Sequence, residues 1–240
     1  AHSHSANQDK NLKYPLKLWY KRDIPKYTTN LLACGRDAGD WMFGGAPYQI
    51  VNNAIDVSAY TYSPIKRLEM RREMGLADEL AVGHVGRFNQ PKNHPFLLDI
   101  FAVLLKKEPN ATLLLVGGGE DMPKMQAKAR ELGIADHVRF LGVRSDVADL
   151  AMDVFAFPSL YEGLPVTMVE AQASGLPCII SDKVPPECIL TEGLVDVMSL
   201  SAGAEAWADA ILEKRNTPRT NRSAEIAAHG FDITTEAVKL

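Results

Sequence analysis

Short aliphatic runs alternate with longer amphipathic stretches from residue 80 onward. The aliphatic runs are short enough to be buried strands, and they lie at 80–86, 111–117, 137–141, 153–157 and 177–181. Helix-like stretches lie between them, at 93–107, 121–132, 145–150 and 165–173. Continuous aliphatic strands that alternate with helices are typical of a parallel sheet covered on both faces. The pattern therefore predicts a doubly wound α/β domain, extended by an edge strand at 194–198 and by helices at 203–215 and 219–229.

The pattern before residue 60 is shorter and less regular. Residues 1–13 are polar and predict a disordered chain end. Residues 14–29 mix apolar and aromatic side chains with Lys and Arg, which predicts an amphipathic helix broken near Pro25. A strand, a helix and a second strand are predicted next, at 31–34, 35–43 and 49–51. This is half of an α/β unit whose front is missing, so we expect a fragment with its domain boundary near residue 60.

Composition narrows the classes of function. The 240 residues are 46% hydrophobic and 23% charged, as in ordinary globular proteins. The formal net charge of −4 argues against a general nucleic-acid binder. The apolar runs are far too short for the roughly 20 residues of a membrane helix. Three widely spaced cysteines indicate neither a disulfide framework nor a zinc site, and a reducing cytosol is the simplest compartment.

Chemistry is expected in the loops that follow the strands, because ligands of open parallel sheets bind at the carboxyl ends of the strands. The loop from Gly86 to His94 brings Arg87 and Lys92 to this edge. Two cations would nearly neutralise a diphosphate, Arg87 as a bidentate fork and Lys92 as a point charge. The alternative is that both are surface cations without an assigned partner.

A second loop leads into a helix that two carboxylates bracket. Glu162 precedes the predicted helix, Pro165 stands at its first position, Glu170 lies about 7–8 Å further along the axis, and Gly175 ends the helix. A helix N-terminus is a ready anion site. The spacing suits a nucleotide-sugar, with sugar hydroxyls at Glu162, phosphates at the helix start and ribose hydroxyls at Glu170. An exposed helix with a capping glutamate explains the same residues without a ligand.

Two other loops carry weaker signals. Gly117, Gly118 and Gly119 invite comparison with a dinucleotide fingerprint, but Met122 stands where the third glycine belongs, which disfavours an NAD-dependent reductase. We interpret this loop as a tight turn that lets another group approach. The backbone from Leu141 to Arg144 lies where a flat base could be held by its edge.

The ordered set of these motifs resembles glycosyltransferase family 4, and within it the capsular and exopolysaccharide enzymes of bacteria. The set comprises Gly-Arg-Phe-x-x-x-Lys-Asn at 86–93, Leu-Leu-Leu-Val-Gly-Gly-Gly at 113–119, Val-Arg-Phe-Leu-Gly-Val-Arg-Ser-Asp-Val at 138–147, and Pro-Ser-Leu-Tyr-Glu-Gly-Leu-Pro at 158–165 with a glutamate eight positions after Glu162. The resemblance implies the GT-B architecture, two Rossmann-like domains across a cleft. Residues 1–60 would be a remnant of the acceptor-side domain plus the junction, and 61–240 the donor-binding domain.

The resemblance also implies roles for individual residues. Glu162, His4, Arg87 and Lys92 would be catalytic, with Arg87 and Lys92 as the diphosphate clamp and Glu162 on the sugar hydroxyls. His4, with His2 as second choice, would present a histidine to the donor sugar. Glu170 would hold the ribose. The remaining donor-binding positions would be Gly86, Gly163, Leu164, Pro165, Val166 and Leu141.

The activity implied is retaining transfer of a sugar from a nucleotide-diphosphate donor, with a UDP-sugar expected, to a saccharide or lipid-linked acceptor in capsule or exopolysaccharide synthesis. No metal or other cofactor is expected, and no nucleic-acid partner. The location implied is cytoplasmic, with a peripheral contact at the inner membrane face left open. The fragment alone is expected to be inactive. A sugar-nucleotide epimerase of the same architecture and a non-catalytic nucleotide-sugar binding module remain as alternatives.

Overall fold

A computed structural model describes residues 1–3, 14–147 and 151–239, with the side chain of residue 239 left aside. Two parallel sheets organise these residues. The first has three short strands in the order β1-β2-β3, and the second has six strands in the order β6-β5-β4-β7-β8-β9. The strands of the first sheet are β1 (His2–Ser3), β2 (Leu32–Ala33) and β3 (Gln49–Ile50). Those of the second are β4 (Ala81–Val85), β5 (Thr112–Val116), β6 (Val138–Gly142), β7 (Val154–Phe157), β8 (Cys178–Ser181) and β9 (Val195–Met198).

Ten α-helices lie in the described part of the chain: the first three lie among the strands of the first sheet, and the others alternate with or flank the strands of the second sheet, as the sequence predicts. Their order along the chain is α1 (Tyr14–Lys21), α2 (Ile24–Tyr27), α3 (Arg36–Phe43), α4 (Pro64–Glu73), α5 (His94–Lys107), α6 (Met122–Glu131), α7 (Val166–Ala173), α8 (Gly203–Lys214), α9 (Ser223–Ala228) and α10 (Ile233–Glu236). Strands β5 and β7 are fully buried because their side chains pack on both faces of the sheet. Strand β9 lies at the edge, as predicted. The doubly wound, Rossmann-like prediction is confirmed.

The glycines after β5 allow two loops to pack backbone against backbone. Gly117 has φ +138°, and a Cβ there would lie 2.0 Å from the carbonyl oxygen of Gly86. Gly119 has φ +156°, and its Cβ would lie 2.4 Å from the carbonyl oxygen of Phe88. The turn therefore admits the loop after β4, which agrees with our interpretation of a tight turn that another group approaches.

The first sheet and its helices, described over residues 1–3 and 14–50 and called the first unit below, correct two expectations. Residues 2–3 are not a disordered end: they pair in parallel with β2, and Ser3 is buried with its hydroxyl donating to the carbonyl oxygen of Ala38 at 2.8 Å. The remainder of the polar stretch, 4–13, lies outside the described residues. The helix of 14–29 is interrupted at Arg22 and Asp23 rather than at Pro25, because Pro25 is accommodated in the first turn of α2.

Smaller corrections concern helix boundaries. Helix α7 begins at Val166 with Pro165 as its N-cap, since the extended backbone of Pro165 (ψ 108°) is not helical. Helix α9 covers only 223–228 of the predicted 219–229. The predicted helix at 145–150 extends into residues outside those described. The domain boundary near residue 60 stays a prediction.

Residues 51–63, called the linker below, connect β3 to α4 and contact the C-terminal part of the chain. Ile55 forms a parallel bridge with Asp232, and its N–H donates to the carbonyl oxygen of Phe231 at 2.9 Å. Ile55 and Phe231 belong to a small buried apolar cluster that includes Val169 and Ala173 of α7. The linker is therefore packed against the helix that carries Glu170.

Candidate functional site

Strands β4 and β7 are neighbours in the sheet, so the loops that follow them meet at its carboxyl edge. Leu160 N–H donates to the carbonyl oxygen of Pro91 at 2.8 Å. The side-chain amide of Asn93 donates to the carbonyl oxygen of Pro158 at 3.0 Å. Asn93 adopts a left-handed conformation (φ 53°), which asparagine tolerates better than most residues. These contacts bring the Arg87–Lys92 loop and the Glu162 loop together.

Lys92 and Glu162 form an ion pair across this junction. Lys92 Nζ lies 2.7 Å from Glu162 Oε1, and the two side chains are only 17% and 11% exposed. The ammonium group also lies 4.6 Å from the ring centroid of Phe157, the last residue of β7. A Cβ on Gly86 would lie 3.2 Å from Lys92 Cδ and Cε, so the glycine leaves space for the lysine stem. The two residues expected to contact phosphate and sugar are thus in contact with each other.

Arg87 is exposed beside this pair. Within the described part of the chain its guanidinium has no hydrogen bond or ion pair, so it is available to an anion at the same edge. Two buried histidines lie beneath the loop, with ring centroids 4.7 Å apart. Burial lowers the pKa of His94 to about 4 and holds the pKa of His84 well below its ordinary value. Both rings are therefore neutral near pH 7, and the positive charge of this edge rests on Arg87 and Lys92.

The N-terminus of α7 lies between the two carboxylates. Pro165 is buried, and Leu164 and Val166 are partly buried against the small apolar cluster of Ile55 and Val169. This packing fixes the direction of the first turn, whose free N–H groups lie on the same segment as Glu162. Gly163 and Leu164 also line a small cavity opposite Cys34 and Gly35 of the first unit. The turn therefore faces the junction between the two sheets.

Glu170 lies about one turn along α7 and contacts the linker. Tyr60 Oη donates a hydrogen bond to Glu170 Oε1 at 2.8 Å. Burial raises the pKa of Glu170, and the hydrogen bond from Tyr60 lowers it in part. Burial and the hydrogen bond to Glu170 both raise the pKa of the Tyr60 phenol. A small cavity beside the pair is lined by Val85, Thr167 and other residues. Glu170 is thus an acceptor at the wall of a recess.

Three of the residues predicted for the site add little to its geometry. Leu141 lies in β6 and is partly buried against the apolar cluster on one face of the sheet. His2 lies in β1. His4 lies outside the described residues, so its position is not compared. Sequence reasoning missed Tyr60, which stands 110 residues from Glu170 in the chain, because no local pattern indicates a contact over that distance.

Along one edge of the sheet, positively charged side chains are followed by a helix N-terminus and carboxylates. Cations stand after β4, a carboxylate and a helix N-terminus after β7, and a second carboxylate about one turn along that helix. A diphosphate matches the cationic end, and a diol matches a carboxylate acceptor. No group of three or more His, Cys, Asp or Glu side chains suited to a metal occurs within the described ranges. Likewise, no helix in the described part is long and apolar enough to cross a bilayer.

The family described as "Glycosyl transferases group 1" matches residues 79–214, which carry both the Arg87–Lys92 loop and helix α7. This match covers more than half of the chain. The chain belongs to the group 1 glycosyltransferases, and the recognition of a family 4-like glycosyltransferase is confirmed.

Two relatives illustrate the likeness. EpsF of Bacillus subtilis (strain 168), which carries the name of a glycosyltransferase, is 36% identical over 245 residues, or 96% of this chain and 64% of EpsF. A D-inositol 3-phosphate glycosyltransferase of Mycobacteroides abscessus is 33% identical over 207 residues, which cover 81% of this chain and 45% of the relative. The chain thus spans less than two thirds of either relative.

Solved structures confirm the fold. The Anabaena protein Alr3699/HepE, crystallised with UDP and glucose, matches 99% of this chain and 68% of its own with a TM-score of 0.83 at 22% identity. Sucrose-phosphate synthase of Thermosynechococcus elongatus matches with a TM-score of 0.82, also at 22% identity. The GT-B expectation is confirmed by these neighbours.

Proposed function

We propose that the protein to which this chain belongs is a retaining glycosyltransferase that uses a nucleotide-diphosphate sugar. The observation that carries the proposal is the joint placement of Arg87, the Lys92–Glu162 pair and Glu170 along one edge of the sheet. The donor would lie with its ribose hydroxyls at Glu170, its diphosphate at Arg87 and Lys92, and its sugar at Glu162. The backbone of Gly163, Leu164, Pro165 and Val166 would face phosphate and sugar.

The chemistry requires departure of a nucleoside diphosphate from an anomeric carbon. Preorganised positive charge where negative charge develops is usually the largest catalytic contribution. Arg87, Lys92 and the N-terminus of α7 supply such charge without a metal ion. Lys92 is already oriented by Glu162 and by the face of Phe157. In this proposal Lys92 shares its ammonium between Glu162 and the phosphate, so the sugar-binding carboxylate and the leaving group are coupled through one cation.

We expect UDP to be the nucleotide of the donor. The support for this expectation is that Anabaena HepE was crystallised with UDP. Titration of this chain with UDP and UDP-glucose should raise its thermal unfolding midpoint, because a ligand of the folded state stabilises it. Arg87→Ala should weaken UDP binding about tenfold, as expected for loss of one charge-assisted contact. Arg130→Ala, an exposed arginine at the end of α6, is the matched control and should leave UDP binding unchanged.

The proposal is contradicted if no nucleotide diphosphate stabilises the chain, or if Arg87→Ala binds UDP as the unaltered chain does. In an assay of a longer form that includes an acceptor-side domain, turnover and donor affinity should fall together in Arg87→Ala. Formation of an epimer without an acceptor would instead indicate the epimerase alternative.

We propose a saccharide or lipid-linked acceptor, exopolysaccharide synthesis as the process, and the cytoplasmic membrane face as the location. A relative from Escherichia coli is named for transfer to a diphosphoundecaprenol-linked sugar. The first unit supports the location: Leu16, Trp19 and Tyr20 on α1 are more than half exposed, next to basic Lys17 and Lys21. Such a face suits an anionic bilayer surface.

Membrane contact is tested by sedimentation with vesicles. The chain should sediment with vesicles that contain anionic lipid and remain unbound with neutral vesicles, because attraction to Lys and Arg depends on surface charge. Trp19→Ser should reduce binding about threefold, in line with the loss of part of one buried apolar side chain. Equal sedimentation with both lipids, or with neither, contradicts a role for this face at an anionic membrane.

A further inference from the structure

The linker residue Tyr60 is the only hydrogen-bond partner of the Glu170 side chain within the described residues. Its hydroxyl donates to Glu170 Oε1 at 2.8 Å, while its ring packs against the apolar cluster formed by Ile55, Val169 and Phe231. Ring packing and the hydroxyl contact therefore fix the tyrosine from two sides. The linker backbone is fixed as well, since Ile55 is bridged to Asp232.

One oxygen of Glu170 is occupied by this contact, and the other is left for a ligand. A carboxylate that binds a vicinal diol needs a defined orientation of both oxygens, because each hydroxyl donates along a lone-pair direction. A glutamate side chain has three rotatable bonds, and holding it costs conformational entropy when nothing orients it in advance. Tyr60 supplies that orientation before the ligand arrives.

We propose that Tyr60 is a positioning residue for the ribose-binding carboxylate of Glu170, so that the linker between the two sheets takes part in nucleoside binding. This inference rests on the proposed function, in which Glu170 holds the ribose. The hydroxyl of Tyr60 also favours the charged form of Glu170, the form that accepts hydrogen bonds from both ribose hydroxyls. Asp56 on the linker lies near enough to Tyr60 to raise the pKa of its phenol as well.

A latch is the opposite interpretation of the same contact. In that case the phenol would occupy a position that the ribose needs, and removing its hydroxyl would tighten nucleotide binding. The two interpretations differ in the sign of one measurement, since a positioning role requires that Tyr60→Phe weakens binding.

The test compares Tyr60→Phe with the unaltered chain by calorimetric titration with UDP and with 2′-deoxy-UDP. Tyr60→Phe keeps the ring and its packing, and we expect UDP affinity to fall roughly fivefold to tenfold, the usual worth of one net hydrogen bond. The loss should shrink to less than about twofold with 2′-deoxy-UDP, because this nucleotide has only the 3′-hydroxyl and no vicinal diol to use both oriented oxygens. A merely structural role would weaken both nucleotides equally.

Tyr48→Phe is the matched control. Tyr48 Oη also donates to a carboxylate, Asp40 Oδ1, at 2.8 Å, but it does so in the first unit and outside the candidate site. Its removal should leave the affinity for both nucleotides unchanged. Thermal unfolding of all variants in the absence of nucleotide shows whether they remain folded.

Each outcome decides something. Unchanged or tighter UDP binding by Tyr60→Phe, or an equal loss with UDP and 2′-deoxy-UDP, overturns the positioning role while leaving the proposed function intact. Failure of the unaltered chain to bind UDP, GDP or ADP overturns the donor site itself and the inference with it. If Tyr60→Phe binds UDP more weakly than the unaltered chain but binds 2′-deoxy-UDP about as well, the result supports both the positioning role and the proposed function.

Discussion

Glu162 and Glu170 lie on one loop–helix segment, yet the protein holds them in opposite ways. Glu162 is paired with a cation, Lys92, at 2.7 Å. Glu170 is held by a neutral phenol, and burial raises its pKa. The first carboxylate faces an opposite charge in a nearly buried position, whereas burial raises the pKa of the second and the hydroxyl of Tyr60 lowers it in part. One carboxylate is therefore held by an ion pair, and the other by a hydrogen bond that orients it.

The largest expected effect comes from breaking the ion pair on one side only. Lys92→Met leaves the carboxylate of Glu162 nearly buried without its cation, which should cost about 3 kcal/mol in the free energy of unfolding. Replacing both partners, Lys92→Met with Glu162→Gln, should restore most of that stability because no uncompensated charge remains. Denaturant unfolding of the two variants measures the difference.

A surface pair provides the control for this experiment. Lys124 pairs with Asp121 at 2.7 Å, but the lysine side chain is 75% exposed. Lys124→Met should therefore unfold at the same denaturant concentration as the unaltered chain. Equal instability of the single and double variants at Lys92 would show that Glu162 is not the reason for the loss, and the contrast between the two carboxylates would fail.

The second effect concerns ligand binding at the other carboxylate. Glu170→Gln should lower the affinity for UDP-glucose about tenfold, since a neutral amide accepts weaker hydrogen bonds than a carboxylate. The free energy of unfolding should not fall, because the substitution removes a carboxylate whose charged form burial disfavours. Calorimetric titration and denaturant unfolding give the two values separately. Loss of stability without loss of affinity would reverse the assignment.

The same comparison predicts a pH dependence with a definite sign. The pKa of Glu170 is raised, so the carboxyl takes up a proton at a higher pH than an exposed glutamic acid does. Affinity for UDP-glucose should fall as the pH is lowered through that pKa, because the protonated group has lost acceptor capacity. The contribution of this group to folding stability should move the other way and grow as the pH falls. In Glu170→Gln the affinity should not change in this pH range.

Much of the six-stranded sheet and its helices follows from local pattern. The aliphatic runs that became β4, β5 and β7 predict a parallel sheet, and the rule that ligands bind at carboxyl ends points to Arg87 and Glu162. Gly175, with φ 62°, ends α7 as expected from the glycine preference after helices. The predictions of the strands and of the end of α7 succeed because each depends on neighbouring residues only, whereas the roles of Arg87 and Glu162 stay predictions.

The contacts that define the site could not be predicted in this way. Lys92 and Glu162 are 70 residues apart, and Tyr60 and Glu170 are 110 residues apart. The first pair depends on β4 lying next to β7, and the second on the path of the linker across α7. Strand β1 was missed for a related reason: two residues, His2 and Ser3, are too few to show an alternating pattern, and their pairing is decided by β2.

The bridge between the linker and the C-terminal residues determines when the linker can fold during synthesis of the chain. Asn52 donates to the carbonyl oxygen of Gly230 at 2.9 Å, across 178 residues of chain, and Ile55 is bridged to Asp232. A ribosome completes the whole six-stranded sheet before it delivers residues 230–232. The linker, and Tyr60 with it, can therefore reach its final place only late in synthesis, so a chain that stops early would have the Arg87–Lys92 and Glu162 loops but an unanchored partner for Glu170.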